Sequence, residues 1–367
     1  MRSATSVYLD TLRWLAAVGV FLFHSGSFIA PWLLGVLRDQ GSECVAVFFV
    51  LSGFVIRFVS LEKERSWPEY LRARAARLYS VTLIALVLTL GADAIGTRMN
   101  PEFYNQSDWF NPNTSVGDIV SYLTFTNEIW FRHSVVGSAQ PYWSLGFEAA
   151  YYLFFAAAAY AGGWKRIALV ILWAAIAGPK IVSALPLWLI GVATYEITRS
   201  ARFNPSFPRL IGTALMIGSV AIYLLNKYEF WSYGAGALFK PDSLQALLHS
   251  AGFMTVVGVA VACNLVGFDL IARTGFRWPS IFSRTIRWLA GGSFTLYLVH
   301  EPLFALARVT YPDVTTQRVL GSVIMVSVFC ITLLVAELGE RRKILFRRLI
   351  HLATGGSHQA ARGPAGG

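Results

Sequence analysis

Apolar runs of about twenty residues recur along this chain, and one α-helix needs a run of that length to cross a bilayer core roughly 30 Å thick. Ten are legible, at about 11–30, 43–61, 78–96, 143–162, 164–179, 181–198, 208–226, 246–266, 289–308 and 319–339. Charge is correspondingly scarce. Of 367 residues, 14% are charged and 55% are apolar, whereas a soluble domain carries roughly 25% charged residues. So few charges cannot cover a water-facing surface of this size. Twelve Trp, 15 Tyr and 26 Phe fit the same reading, because aromatics collect at membrane interfaces. The expected fold is all-α, a polytopic transmembrane bundle of about ten spans. It forms one membrane domain over 1–350, with a disordered tail over 351–367. The basic start and long apolar run at the N-terminus read as a retained first span rather than a cleaved leader.

One segment decides the topology. Residues 116–131 (VGDIVSYLTFTNEIWF) are apolar but dotted with Asp118, Asn127 and Glu128. If they do not cross, most of the 31 Lys and Arg gather on one side of the membrane, as the positive-inside rule requires. If they did cross, the basic ERRKILFRR segment and the 267–288 loop would face the wrong way. The expectation is therefore a reentrant or interfacial helix at 116–131 and both termini in the cytoplasm. The net charge of +11 is then a product of insertion, not of nucleic-acid binding. Cys44, Cys263 and Cys330 are scattered in apolar context, with neither CxxC pairs nor a disulfide framework. No metal site is expected.

Ionisable groups inside spans cost at least ~2.5–3.5 kcal/mol on insertion scales and so require a reason. Glu196 and Glu337, near span ends, are read as interfacial partners of nearby Arg. Arg13 and His24 of the first span are eleven residues apart, so three helical turns return them to nearly the same face, about 16 Å apart along the axis. Counted from the span ends, His24, Glu148 and His300 lie roughly 17–22 Å from the cytoplasmic edge. Taken singly, each serves equally well as a helix–helix hydrogen-bonding group. Two imidazoles and a carboxylate sharing one layer point to catalysis. Arg74 and Arg77, at i and i+3 in YLRARAARLYS, project together if that segment is helical. Paired guanidiniums of this kind suit the forked recognition of phosphate.

These residues, in this order, resemble the membrane-bound acyltransferase-3 family, whose members O-acylate glycans and other hydroxyl compounds. The opening signature is matched by Asp10, Arg13 and His24 in LDTLRWLAAVGVFLFH. Phe48, Phe49, Ser52 and Gly53 follow in VAVFFVLSGFVI. Arg74 and Arg77 supply an Arg-x-x-Arg, then come Trp143, Ser144, Leu145 and Glu148 in PYWSLGFEAAYYLFF. The final block is Tyr297, His300 and Pro302 in SFTLYLVHEPLF. The likeness spans about residues 5–345. This chain departs from the family at Ser80, where Pro is common. It also has Cys44 and Ala46, with Glu43 nearby, where many members place an acidic residue before the Phe-Phe pair.

The resemblance implies a stand-alone acyltransferase of the bacterial inner membrane. Its donor would be cytoplasmic acyl-CoA, commonly acetyl-CoA, and its acceptor a hydroxyl on a glycan or lipid-linked saccharide. Arg74 and Arg77, with Arg13, would hold the coenzyme's phosphates. His24 would act as general base or carry the acyl group transiently, and Glu148 would orient the imidazole or the acceptor. Asp10, Ser52, Trp143, Ser144, Tyr297 and His300 are supporting or acceptor-binding candidates. Two other readings stay open from the residues alone: a proton-coupled transporter or flippase of a lipid-linked glycan, and an acyltransferase acting on a small natural product.

Overall fold

The computed structural model describes residues 1–33, 41–200, 203–229, 241 and 243–353. No β-strand occurs among them. Ten helices of 15 residues or more stand where the ten spans are expected. They are α1 (Ser3–Phe28), α2 (Gly41–Glu62), α3 (Trp67–Met99), α6 (Trp143–Tyr160), α7 (Gly163–Ser183), α8 (Leu185–Arg199), α9 (Pro208–Glu229), α10 (Leu244–Arg273), α12 (Ser293–Thr310) and α13 (Arg318–Leu338). Shorter helices are α4 (Pro101–Asn105), α5 (Val116–Thr124), α11 (Ser280–Ala290) and α14 (Lys343–Ala353). Residues 351–353, assigned to the tail from sequence, close α14, and the tail from 354 onward lies outside the described residues.

Seven stretches are long and apolar enough to cross a membrane by length and composition. Helices α6, α8 and α12 are not among them. Helix α8 has only 15 residues, and α6 and α12 carry the polar groups of the site. At 33 residues, α3 is about 50 Å long, well beyond a ~30 Å core. It therefore has turns to spare beyond one crossing, and its first three turns carry Arg72, Arg74 and Arg77.

Two apolar cores share a seam. One gathers side chains of α2, α3, α6, α8 and α10. The other gathers α1, α11, α12 and α13. Helices α1 and α12 contribute to both, and they pack against each other along the seam. In lipid, helices gain most by bringing backbones close through small residues, and α2 against α8 shows this. A Cβ placed on Gly53 would collide with the Trp188 carbonyl, and one on Gly191 with the Val50 carbonyl. The expected interfacial pairs also form. Arg57 reaches Glu196 at 2.5 Å, and Arg341 pairs with Glu337.

The ambiguous segment 116–131 does not cross. Helix α5 has nine residues, about 14 Å. It opens on a capping box in which Ser115 Oγ accepts from Asp118 N at 3.1 Å while Asp118 Oδ2 accepts from Ser115 N at 2.9 Å. It ends at Phe125 in a left-handed conformation. The chain then docks into a break in α7, where Gly178 has φ 80°. Pro179 has no N–H, so the Ala175 carbonyl loses its helical donor and accepts from Trp130 Nε1 at 3.1 Å. The Ala177 carbonyl accepts from Trp130 N at 2.9 Å. Lys180 is fully buried and donates to Glu128 Oε2 at 2.5 Å and to the Arg132 carbonyl. His133 meets the other Glu128 oxygen at 2.9 Å. A Cβ on Gly146 of α6 would meet Asn127 and Glu128, so the docked loop bears directly on the helix that carries Glu148.

Breaking a buried ion pair from one side leaves an uncompensated charge and costs about 3–5 kcal/mol, while replacing both partners is often neutral. Lys180→Met is therefore expected to lower the unfolding temperature in detergent sharply. The double variant Glu128→Gln with Lys180→Met should recover most of the loss, as differential scanning fluorimetry would show.

Candidate active site

Helices α1 and α12 bring His24 and His300 together at the seam. His24 Nδ1 lies 2.7 Å from His300 Nε2, and the rings stack with centroids 5.0 Å apart. His300 Nδ1 lies 2.7 Å from the Leu296 carbonyl. A carbonyl only accepts, so Nδ1 of His300 carries the hydrogen. For two neutral rings the rest follows: His300 Nε2 is the acceptor, His24 Nδ1 the donor, and His24 Nε2 is left with its lone pair. His300 is fully buried, whereas the His24 side chain retains 22% exposure. Glu301 Oε2 lies 4.0 Å from His24 Nδ1 and has no hydrogen-bond partner. These three residues place one ligand atom each within 4.8 Å of one another. Three of the four imidazole nitrogens belong to the hydrogen-bond chain just described, and His24 Nε2 is the one outside it.

A narrow cavity of about 80 Å³ lies beside Glu148, and neither His24 nor His300 is among the residues that line it. Arg13, Arg77, Lys343 and Glu340 stand among its lining residues, together with Glu148, Ser144, Phe48 and Tyr297. Tyr297 precedes His300 by three residues on α12, a rise of about 4.5 Å. Its hydroxyl lies 2.9 Å from Ser144 Oγ, and its ring tilts against Phe48. Glu340 accepts from the backbone N–H groups of Phe294 (3.1 Å) and Thr295 (2.9 Å). It thereby satisfies the open donors at the start of α12 and ties the α13–α14 junction to the cavity wall. Arg13 Nη2 donates to Asp10 Oδ1 at 3.0 Å, and its Nε is buried without a partner.

The single layer expected from span depth divides in two. Glu148 does not meet either imidazole. It accepts from Ser52 Oγ at 3.3 Å and from the Tyr152 hydroxyl, and Arg77 Nη2 approaches to 3.7 Å. Depth along a helix axis says nothing of azimuth, and Glu148 is turned toward α2 and α3. The carboxyl beside His24 is Glu301, the very next residue after His300.

The two arginines also part. Both lie on α3, but Arg74 is 8% exposed and donates to Glu64 at 2.6 Å between the rings of Tyr70 and Tyr152. Arg77 alone faces the cavity. Ser52 also accepts from Trp188 Nε1 at 3.3 Å. Trp143 packs edge-on against Phe49 and Phe147. Glu340, Lys343 and the Leu296 carbonyl enter the site without a sequence signal, because each depends on how distant helices meet.

A membrane-embedded helical bundle with an oriented imidazole pair beside a cation-lined cavity has the parts of a group-transfer enzyme. The chain belongs to the acyltransferase-3 family: the family model, described as an acyltransferase domain, matches residues 6–337. It is 26% identical over 326 residues to acyltransferase MdmB of Streptomyces mycarofaciens, covering 80% of this chain and 77% of that one. No solved structure matches. The chain is thus an integral membrane O-acyltransferase-type enzyme.

Loss of Arg74 would strand a buried Glu64, whereas Arg77 is one-third exposed with a long contact to Glu148. Arg74→Ala is expected to cost about 3–5 kcal/mol of stability. Arg77→Ala should fold with little change in unfolding temperature yet lose most of its transfer activity. Thermal unfolding and an acyl-transfer assay on the two variants would check this.

Proposed function

We propose that the chain moves an acyl group, acetyl by preference, from cytoplasmic acyl-CoA to a hydroxyl of a glycan or lipid-linked saccharide. It would do so in the bacterial inner membrane, with both termini in the cytoplasm. The observation that carries the chemistry is the lone pair left on His24 Nε2 by the Leu296–His300–His24 chain. The donor reading draws on the family and on the cations at the cavity. The acceptor class draws on the family.

In this reading Arg77, Lys343 and Arg13 face the coenzyme's phosphates, and the pantetheine arm enters along Phe48 and Tyr297. Glu148, anchored by Ser52 and Tyr152, positions Arg77 rather than the imidazole. His24 Nε2 takes the proton of the acceptor hydroxyl as its oxygen attacks the thioester carbonyl. The tetrahedral intermediate collapses with cleavage of the C–S bond. The departing thiolate takes from His24 the proton that came from the acceptor hydroxyl, so an ester and free coenzyme A leave and the pair returns to its starting state. His300 holds the His24 ring in the tautomer that can accept. Glu301, within 4.0 Å, stands where a carboxyl can answer the positive charge the pair takes on in passing.

His24→Ala should lose roughly 10²–10⁴-fold in kcat, the usual share of a general base. His24 must be neutral to accept a proton, so transfer should fall as pH is lowered through the titration of the pair. His300→Phe removes the acceptor for His24 Nδ1 and leaves the ring free to adopt the wrong tautomer. Its kcat should fall and the acid limb of its pH–rate profile should move, with KM for the donor little altered. Transfer of radiolabelled acetyl from acetyl-CoA by purified wild type and variants tests this. Undiminished transfer by His24→Ala would remove His24 from the chemistry.

A further inference from the structure

The cavity beside Glu148 holds about 80 Å³, while sites for ligands of drug size run from about 300 to 1,000 Å³. It can take a slender arm but not a nucleotide. A second cavity of about 670 Å³ lies between the start of α3 and α14. Arg72, Arg347, Arg348 and His351 line it, with Glu69 as its one carboxylate. Arg72 Nη1 lies 3.4 Å from His351 Nδ1 across the groove. The guanidiniums of Arg72, Arg347 and Arg348 around one groove offer forked donors to a phosphate.

The groove and the narrow cavity lie in sequence along both helices. On α14, Lys343 lines the cavity and Arg347, one turn on, lines the groove. On α3, Arg77 lines the cavity and Arg72, about 7.5 Å back along the axis, lines the groove. Helix α14 divides its surface accordingly. Leu345 and Leu349 are exposed and stand about 200° from Arg347, so the apolar side is the one that meets lipid. The basic side turns to α3.

We infer that the α3–α14 groove seats the adenosine 3′-phosphate end of the coenzyme A donor, with Arg72, Arg347 and Arg348 around that phosphate, while the diphosphate at the root of the pantetheine arm stays with Arg77 and Lys343. The C-terminal helix is then part of the donor site. This rests on the donor reading proposed above. Its ligand is the nucleotide of the donor rather than an anionic lipid headgroup, which would offer similar phosphate chemistry.

The test compares equilibrium binding of coenzyme A with that of pantetheine 4′-phosphate, which lacks the nucleotide. It uses the full-length protein in nanodiscs of phosphatidylcholine alone. Wild type should prefer coenzyme A at least tenfold. Arg347→Glu with Arg348→Glu, both exposed positions, should abolish most of that preference, and Arg72→Gln on the opposite wall should reduce it independently. A preference unchanged in both variants overturns the groove assignment. So does a wild type that shows no preference in phosphatidylcholine yet binds added phosphatidylglycerol through Arg347 and Arg348, which would make the groove a lipid site. Wild type that binds neither compound overturns the donor reading itself, a result distinct from the other two.

Discussion

Inside a bilayer a charged side chain has no water to fall back on, so its partner must come from the protein. That requirement organises much of this structure. Glu128 and Lys180 lock a loop into the break of α7, and Arg74 and Glu64 fasten the start of α3 to the end of the α2–α3 connection. Lys227 meets Glu43 between α9 and α2, and Asp93 takes two hydrogen bonds from Ser138. Three of the four join segments 45 or more residues apart in sequence, which gives the bundle a defined set of neighbours. The answer is not complete everywhere: Glu301 Oε2 and Arg13 Nε are buried without partners, and so are Glu64 Oε2 and Arg74 Nε within their own pair.

The seam has a second consequence. Helices α1 and α12 belong to both apolar cores, so the imidazole pair they form is held from two sides while His24 keeps a partly open edge. Tyr297, which lines the cation-bearing cavity, stands one turn before His300 on α12, so the same helix carries a wall of the cavity and one of the two imidazoles.

Much of the fold is legible from residues alone, because hydropathy reports length along the membrane normal. All ten span positions carry helices, and 116–131 is rightly kept from crossing by its Asp118, Asn127 and Glu128. Depth is legible for the same reason, and it puts His24 and His300 at the same level. Azimuth is not. Whether Glu148 turns toward His24 or toward Arg77 depends on the rotation of α6 against α2 and α3, which apolar counts do not record. Arg74 and Arg77 are likewise separable only once Glu64 is seen under Arg74. Glu301 could have been preferred to Glu148 as the partner of the imidazoles on adjacency to His300, a purely local signal.

The glycine contact between α2 and α8 also bears on the cavity. With Gly53 and Gly191 letting the two backbones touch, α2 is braced against α8 at the level of Ser52. Because α2 carries Phe48, Phe49 and Ser52, the wall behind Glu148 rests on a backbone-to-backbone buttress. The facing wall is held by side chains instead, where Glu340 joins α12 to the root of α14. One bank of the cavity is thus masonry and the other is stitched.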